Sequence, residues 1–265
     1  MAALTPRPLV SITGGSGINL EPMLSKRHAS WPFADCPGLA SATAPGHEGR
    51  FIHGEAAGVP VILQQGRLHF YEGHDYAAVT WPIDLLRDWG VHTLLFTNAA
   101  GGLRASVSAG SLMPVAAVRT WPFRHWPRRP ERLNPDLTLE TGTPPGCYWW
   151  VPGPAYETPA EVRGLQRLDG GAVGMSTAPE LQRSKELGLR AAAIAVITNT
   201  CGASGPLSHG HVLEQARGQS ERLRQILTEH LPRLAIDGSP SPSGNAPRLV
   251  YPPLARVYCI PFSRD

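Results

Sequence analysis

Four short apolar runs stand out along the chain, at residues 9–13, 59–64, 91–97 and 191–198. None alternates with polar residues, and each is bounded by glycine or a polar turn. Runs of this length without alternation predict strands buried on both faces. Between them lie segments with helical spacing. Val79, Ile83, Leu86 and Gly90 mark one face of a helix ending before the strand at 91, with Pro82 either kinking it or sitting in its first turn.

Two later helices announce their starts. Thr158-Pro159-Ala160-Glu161 has a capping threonine, proline at the first helical position and glutamate three residues after the cap. Thr177-Ala178-Pro179-Glu180 repeats the arrangement, and Gly188 supplies the stop. A last long helix begins near Ser208. Its apolar stripe is Val212, Ala216, Leu223 and Ile226, with Arg217, Glu221 and Arg224 toward water. Strands alternating with helices predict a layered α/β domain without internal repeats.

Composition sets the class. A chain of 265 residues, 42% hydrophobic and 17% charged, reads as one substantial globular α/β core. The net charge of +3 does not suggest a general nucleic-acid binder, though it suits a site for anions. No stretch is apolar enough to span a bilayer, and the N-terminus lacks a signal-peptide core. The four cysteines (Cys36, Cys147, Cys201, Cys259) lie far apart without a CxxC pair, so we expect a reducing, cytoplasmic setting. The excess of proline concentrates at 119–146 and after Pro232, predicting irregular backbone in both places. The Gly/Ser/Pro stretch at 238–247 reads as a flexible connector.

Candidate chemistry sits where predicted strands end. Gly14-Gly15-Ser16-Gly17 offers backbone N–H groups and a hydroxyl to an anion, or is a tight turn without a ligand. It is not a dinucleotide fingerprint, because Leu20 stands where the third glycine belongs. Arg67 and His69, two apart in an extended segment, project to one side and suit a phosphate, or are a solvated arginine and a core histidine. Thr97-Asn98-Ala99-Ala100-Gly101-Gly102 closes the strand at 91–97 with small residues, which admit a ligand or simply bend the chain. Ser176 lies at a helix N-terminus, as an anion ligand or a structural cap. Glu157, ahead of the other capped helix, and Asn199, at the end of the strand at 191–198, are polar groups fit for a ligand's edge or for capping.

Taken together and in order, GGSG, PGHEGR (45–50), QGRLHFYEG (65–73), TNAAGG (97–102), VPGPAYETPAE (151–161), VGMST (173–177) and ITN (197–199) closely resemble the motifs of the trimeric purine nucleoside phosphorylase family. The resemblance covers about residues 9–118 and 147–231. It implies a single α/β domain with a mixed, partly barrel-like β-sheet flanked by helices, over residues 1–231, and a homotrimer in solution. By motif position, Ser16, His47, Arg67, His69, the N–H of Ala99 and Ser176 would hold phosphate. Tyr71, Met175 and His209 would line the ribose, with His211 able to replace His209 if the loop is shifted. Tyr156, Glu157 and Asn199 would meet the base, and Asn199, Glu157, His69 and His209 would carry catalysis. No metal or organic cofactor is implied, with inorganic phosphate as co-substrate.

The amide at Asn199 suits a 6-oxopurine, since the related methylthioadenosine phosphorylases carry aspartate there. The alternatives are a phosphorylase of a methylthio, other 5′-modified or xanthine nucleoside, and a non-catalytic nucleoside-binding relative. The chain departs from the family at 119–146, a short Arg/Trp/Pro segment that reads as an altered subunit edge. The tail at 232–265 matches no part of the family either.

Overall fold

The computed structural model describes residues 4–43, 49–126, 128–202 and 209–236. Among the described residues ten strands form one sheet, and four α-helices flank it. The strands are β1 (Val10–Gly14), β2 (Lys26–Pro32), β3 (Arg50–Ala56), β4 (Val59–Gln65), β5 (Thr93–Gly102), β6 (Leu112–Thr120), β7 (Arg132–Leu133), β8 (Gly146–Trp150), β9 (Ala172–Gly174) and β10 (Arg190–Thr200). The helices are α1 (Tyr76–Asp88), α2 (Pro159–Arg167), α3 (Ala178–Glu186) and α4 (His209–Ile236).

The sheet runs β10-β6-β8-β9-β5-β1-β4-β3-β2, and a further β10–β5 pairing closes its first five strands into a mixed barrel. Parallel pairs (β5–β10, β6–β8, β8–β9) and antiparallel ones (β6–β10, β5–β9) alternate irregularly around it. The partly barrel-like α/β domain implied by the motifs is the fold observed.

The unalternating strands are buried on both faces, and the core shows why. In β10, Ala191, Ala193, Ala195 and Ile197 join the cluster beneath α1 and α3. Their neighbours Ala192, Ile194 and Val196 join the cluster beneath α4. Side chains that alternate between two covered faces leave no polar position in the strand.

Both capping predictions hold. Thr158 and Glu161 form a reciprocal box on α2, and Thr177 and Glu180 form one on α3. Gly188, at φ +69°, ends α3, with Leu189 N–H donating to Ser184 O. Pro82 stands in the interior of α1, not in its first turn, and Asp75 supplies that helix's cap.

Four expectations need correction. The motif Thr97–Gly102 does not close β5 but forms its second half, because small residues let β9 and β10 pair against it. Arg224 does not face water freely, since it is half-buried and donates to Asn19 O at 2.9 Å. Between the end of β6 and the start of β8 the Arg/Trp/Pro segment is irregular, as its prolines require, apart from the two-residue β7, and it also sends a side chain into the core. Trp126 is 1% exposed and packs on Phe70, Tyr76 and Trp150 with ring centroids 5.0–5.8 Å away. The irregular backbone expected after Pro232 is also overturned for the first residues, because α4 runs on through Pro232 to Ile236.

Candidate active site

The GGSG turn leaves β1 and rests directly on β5. A Cβ on Gly15 would stand 2.9 Å from Asn98 Cα and 3.3 Å from Ala99 N, so only glycine permits this approach. Ser16 is thereby set beside the backbone of Ala99, and both line one cavity of about 650 Å³ counted to its open mouth.

Arg67 enters the same cavity from the segment after β4. It is 2% exposed, donates from Nη1 to Thr97 O at 3.0 Å, and pairs through Nε with the Glu180 carboxylate at 3.2 Å. Glu180 in turn accepts from Thr177 N–H at 2.9 Å. One carboxylate thus caps α3 and fixes the guanidinium. This alters the expected anion site at the α3 terminus. The Thr177 amide is spent on Glu180, Ala178 N–H on Ser176 O at 2.8 Å, and Pro179 has no N–H. What Ser176 brings to the cavity is its own side chain, supported by Tyr148, whose hydroxyl donates to Ser176 O at 3.2 Å.

His69 is oriented by Glu72. One oxygen of that carboxylate accepts from His69 N–H at 2.8 Å and meets Nδ1 at 2.9 Å, while the other accepts from Thr43 N and Oγ1 at 3.0 and 2.6 Å. Burial pushes the Glu72 carboxyl up, but the bonds from His69 and Thr43 outweigh it and hold it at about 2. Glu72 therefore remains an acceptor, which assigns the proton to Nδ1 and leaves Nε2 to accept when the ring is neutral. Burial lowers the imidazole pKa against the pull of Glu72, and Arg67 lowers it further. Tyr71 stacks on the His69 ring at 4.6 Å.

Thr177 has φ +70° and ψ −43°, a conformation that a β-branched residue rarely adopts. Its Oγ1 accepts from Asn98 Nδ2 at 2.8 Å, tying the strained turn to β5. Such outliers persist only where the surroundings hold them, commonly beside functional sites.

Asn199 reaches the cavity through a bulge. In the β5–β10 register Ile197 pairs with Ala100 and Asn199 with Gly101, so Thr198 is the extra residue. Thr198 Oγ1 lies 3.1 Å from Asn199 Oδ1, and Asn199 Nδ2 lies 3.9 Å from Cys201 Sγ. Glu157, in the loop before α2, has its pKa raised, first by burial and then by Glu161.

Ten of the expected residues therefore line one cavity, namely Ser16, Arg67, His69, Tyr71, Ala99, Tyr156, Glu157, Met175, Ser176 and Asn199. His47 lies outside the described residues. His209 opens α4, but its side chain is likewise outside them; His211 is exposed and Val212 lines the cavity. Sequence reasoning missed Glu180, Tyr148 and Glu72. Glu72 was within reach, lying three residues from His69; the others come from elements 113 and 28 residues distant from what they hold.

The model of the phosphorylase superfamily matches residues 10–125 and 131–232. Purine nucleoside phosphorylase 1 of Bacillus subtilis is 34% identical over 235 residues, covering 80% of this chain and 87% of that one. The chain belongs to the purine nucleoside phosphorylase family. Another member, purine nucleoside phosphorylase 1 of Geobacillus stearothermophilus, is 32% identical over 231 residues, covering 78% of this chain and 84% of its own. Among solved structures, isoform 2 of the Schistosoma mansoni purine nucleoside phosphorylase, in complex with cytosine and ribose-1-phosphate, superposes with a TM-score of 0.72 at 26% identity, over 86% of this chain and 90% of that one. As a purine nucleoside phosphorylase, this chain is an enzyme that cleaves purine nucleosides with inorganic phosphate as co-substrate. Among the described residues no group of three or more His, Cys, Asp or Glu is placed to hold a metal ion, and no helix is long and apolar enough to cross a membrane.

Proposed function

We infer that this enzyme prefers 6-oxopurine nucleosides, releasing hypoxanthine or guanine and forming ribose 1-phosphate. The observation that carries the reading is a single cavity lined both by anion donors (Ser16, Arg67, His69, Ser176) and by a carboxylate and an amide, Glu157 and Asn199. Phosphorolysis gathers positive charge on the sugar and negative charge on the departing purine. Phosphate held by Ser16, Arg67, His69, Ser176 and the Ala99 N–H, with His47 approaching on its loop, stabilises the sugar cation and then attacks C1′. Tyr71, Met175 and His209 line the ribose; positions 209 and 212 share a face of α4 by helical spacing, which favours His209 over His211 for the 5′-hydroxyl. Tyr156 packs on the base, Glu157 accepts from N1–H, and the Asn199 amide donates near N7 as the base departs.

The same reading includes a cytoplasmic homotrimer, with residues 1–231 as the catalytic domain and 232–265 as an appended tail whose first residues, up to Ile236, complete α4.

Release of free base from inosine, guanosine, adenosine and methylthioadenosine, each with and without phosphate, tests it. We expect phosphate-dependent release from the first two and far slower release from the others. Equal rates on adenosine and inosine would remove the 6-oxopurine preference; silence on all four would remove catalysis itself.

A pH profile follows from Glu157. Its raised pKa means the carboxylate that must accept N1–H is lost at a higher pH than for an ordinary glutamate. The acid limb of kcat/KM for inosine is expected to lie above pH 4.5, the ordinary value, and to vanish in Glu157→Gln along with most of the rate. An acid limb unchanged in that variant assigns it to another group.

A further inference from the structure

Residues 119–132 carry five arginines against one glutamate, a local +4 in a chain whose total is +3, so the remaining residues together carry −1. The net positive excess of this protein therefore lies in one strip, while positive and negative residues nearly balance over the rest of the chain. The family model matches residues up to 125 and again from 131, so within the strip residues 126–130 fall between the matched segments while Arg119, Trp121 and Arg132 lie inside them.

The fold arranges part of the strip as a ledge. Along the end of β6, Val118 and Thr120 are buried while Arg119 and Trp121 turn outward. Arg119 is the direct cross-strand partner of Arg132 on β7 and of Trp149 on β8. Its guanidinium lies over the Trp149 ring at 5.8 Å, and Trp121, 40% exposed, meets Trp149 edge-on at 6.4 Å. Among the described residues neither Arg119 nor Arg132 has a carboxylate within ion-pair distance. By contrast Arg129 is spent on Thr120, donating to its O and Oγ1 at 3.1 and 2.8 Å, and pins the loop.

Like charges directly opposite one another on an antiparallel pair are unfavourable unless an anion neutralises them. Two guanidinium forks at cross-strand spacing suit successive phosphates of a short chain, and an exposed indole beside them suits a planar base. A long polyanion is disfavoured, because the rest of the molecule is slightly negative. We propose that the Arg119/Arg132/Trp121 ledge is a second ligand site, separate from the catalytic cavity, that binds a nucleoside di- or triphosphate with its phosphates on the arginine pair and its base on Trp121.

Calorimetric titration of the full-length chain at low salt with ATP, with tripolyphosphate and with a short single-stranded oligonucleotide tests the proposal. ATP is expected to bind, with affinity falling about tenfold or more in Arg119→Gln/Arg132→Gln. Trp121→Ala is expected to weaken ATP about fivefold while leaving tripolyphosphate unchanged. Arg67→Ala, altered in the catalytic cavity, is expected to bind ATP as the parent does. All three substituted positions of the ledge are at the surface, and thermal melts confirm that the variants are folded. No saturable ATP binding overturns the proposal, and so does loss of ATP binding in Arg67→Ala, which assigns the nucleotide to the catalytic cavity. Tighter binding of the oligonucleotide than of ATP makes the strip a nucleic-acid surface instead. A change in sedimentation coefficient in the arginine variant makes it a contact between subunits. Either result replaces the nucleotide site.

Discussion

In an Arg67→Ala enzyme, the phosphate concentration giving half-maximal rate is expected to rise about a hundredfold or more, with far less change in KM for inosine. The guanidinium is buried, and its Nη1 and Nε are held by Thr97 O and Glu180. Those two bonds do not bind substrate. They set the plane of the fork, so that an arriving dianion meets donors that need no reorganisation. Removing a buried, charge-assisted donor costs roughly 2–5 kcal/mol, which is the origin of the hundredfold figure. The same substitution strips Glu180 of its cation in a site only 2% exposed, so a lower melting temperature should accompany it. Arg67→Lys is expected to recover little, because an ammonium replaces a planar fork with a point charge. Initial rates against phosphate at saturating inosine decide the matter. An ordinary phosphate saturation curve in Arg67→Ala, from enzyme shown to be folded, would refute the anion role.

How much of this was legible beforehand depends on distance along the chain. Both capping boxes were readable because threonine, proline and glutamate act within four residues of one another, and local chemistry decided the outcome. The buried strands β1, β4, β5 and β10 were readable because burial on two faces leaves an unbroken apolar run. The strands β2, β3, β6, β7, β8 and β9 were not singled out. β2 has no fully buried residue and is charged at its start, and β9 is only three residues long. Barrel closure was implied by the family resemblance and not by local pattern, since it rests on β5 and β10 pairing Thr93 with Arg190 across the length of the domain.

The site divides the same way. Residues that touch the cavity fall in short motifs and were found by their order. The groups that hold them fall elsewhere. Glu180 serves Arg67 from α3, 113 residues further along the chain, and Tyr148 serves Ser176 from β8. Trp126 is the clearest case. Its neighbourhood is proline-rich and therefore irregular, yet irregular backbone can still bury an indole when Phe70, Tyr76 and Trp150 offer aromatic faces. Composition predicts the path of such a segment and not what it covers.

On the proposed reading base selectivity rests on the Asn199 side chain, and Asn199→Asp is expected to change the ratio of kcat/KM for inosine over adenosine by about a hundredfold in favour of adenosine. An amide presents one donor end and one acceptor end, whereas an ionised carboxylate only accepts. Against a 6-oxopurine the new carboxylate faces another acceptor. Against a 6-aminopurine it accepts from the exocyclic N–H₂. Losing one hydrogen bond and gaining one repulsion, each worth roughly 1–3 kcal/mol, accounts for the expected factor. The surroundings can accommodate the change. Thr198 Oγ1 still has an oxygen to donate to at 3.1 Å. On the other side Cys201, whose thiol pKa is pushed up to about 12 by burial and then by Glu157, keeps its proton and turns from weak acceptor to weak donor. Glu157 also sets the cost. A second carboxylate near it raises the pKa of both groups, so the gain on adenosine should appear chiefly on the alkaline side of the profile. Measuring both nucleosides across pH separates the effects. If the inosine-to-adenosine ratio stays constant throughout, Asn199 does not read position 6 of the purine, and selectivity must come from Glu157 and the walls of the cavity.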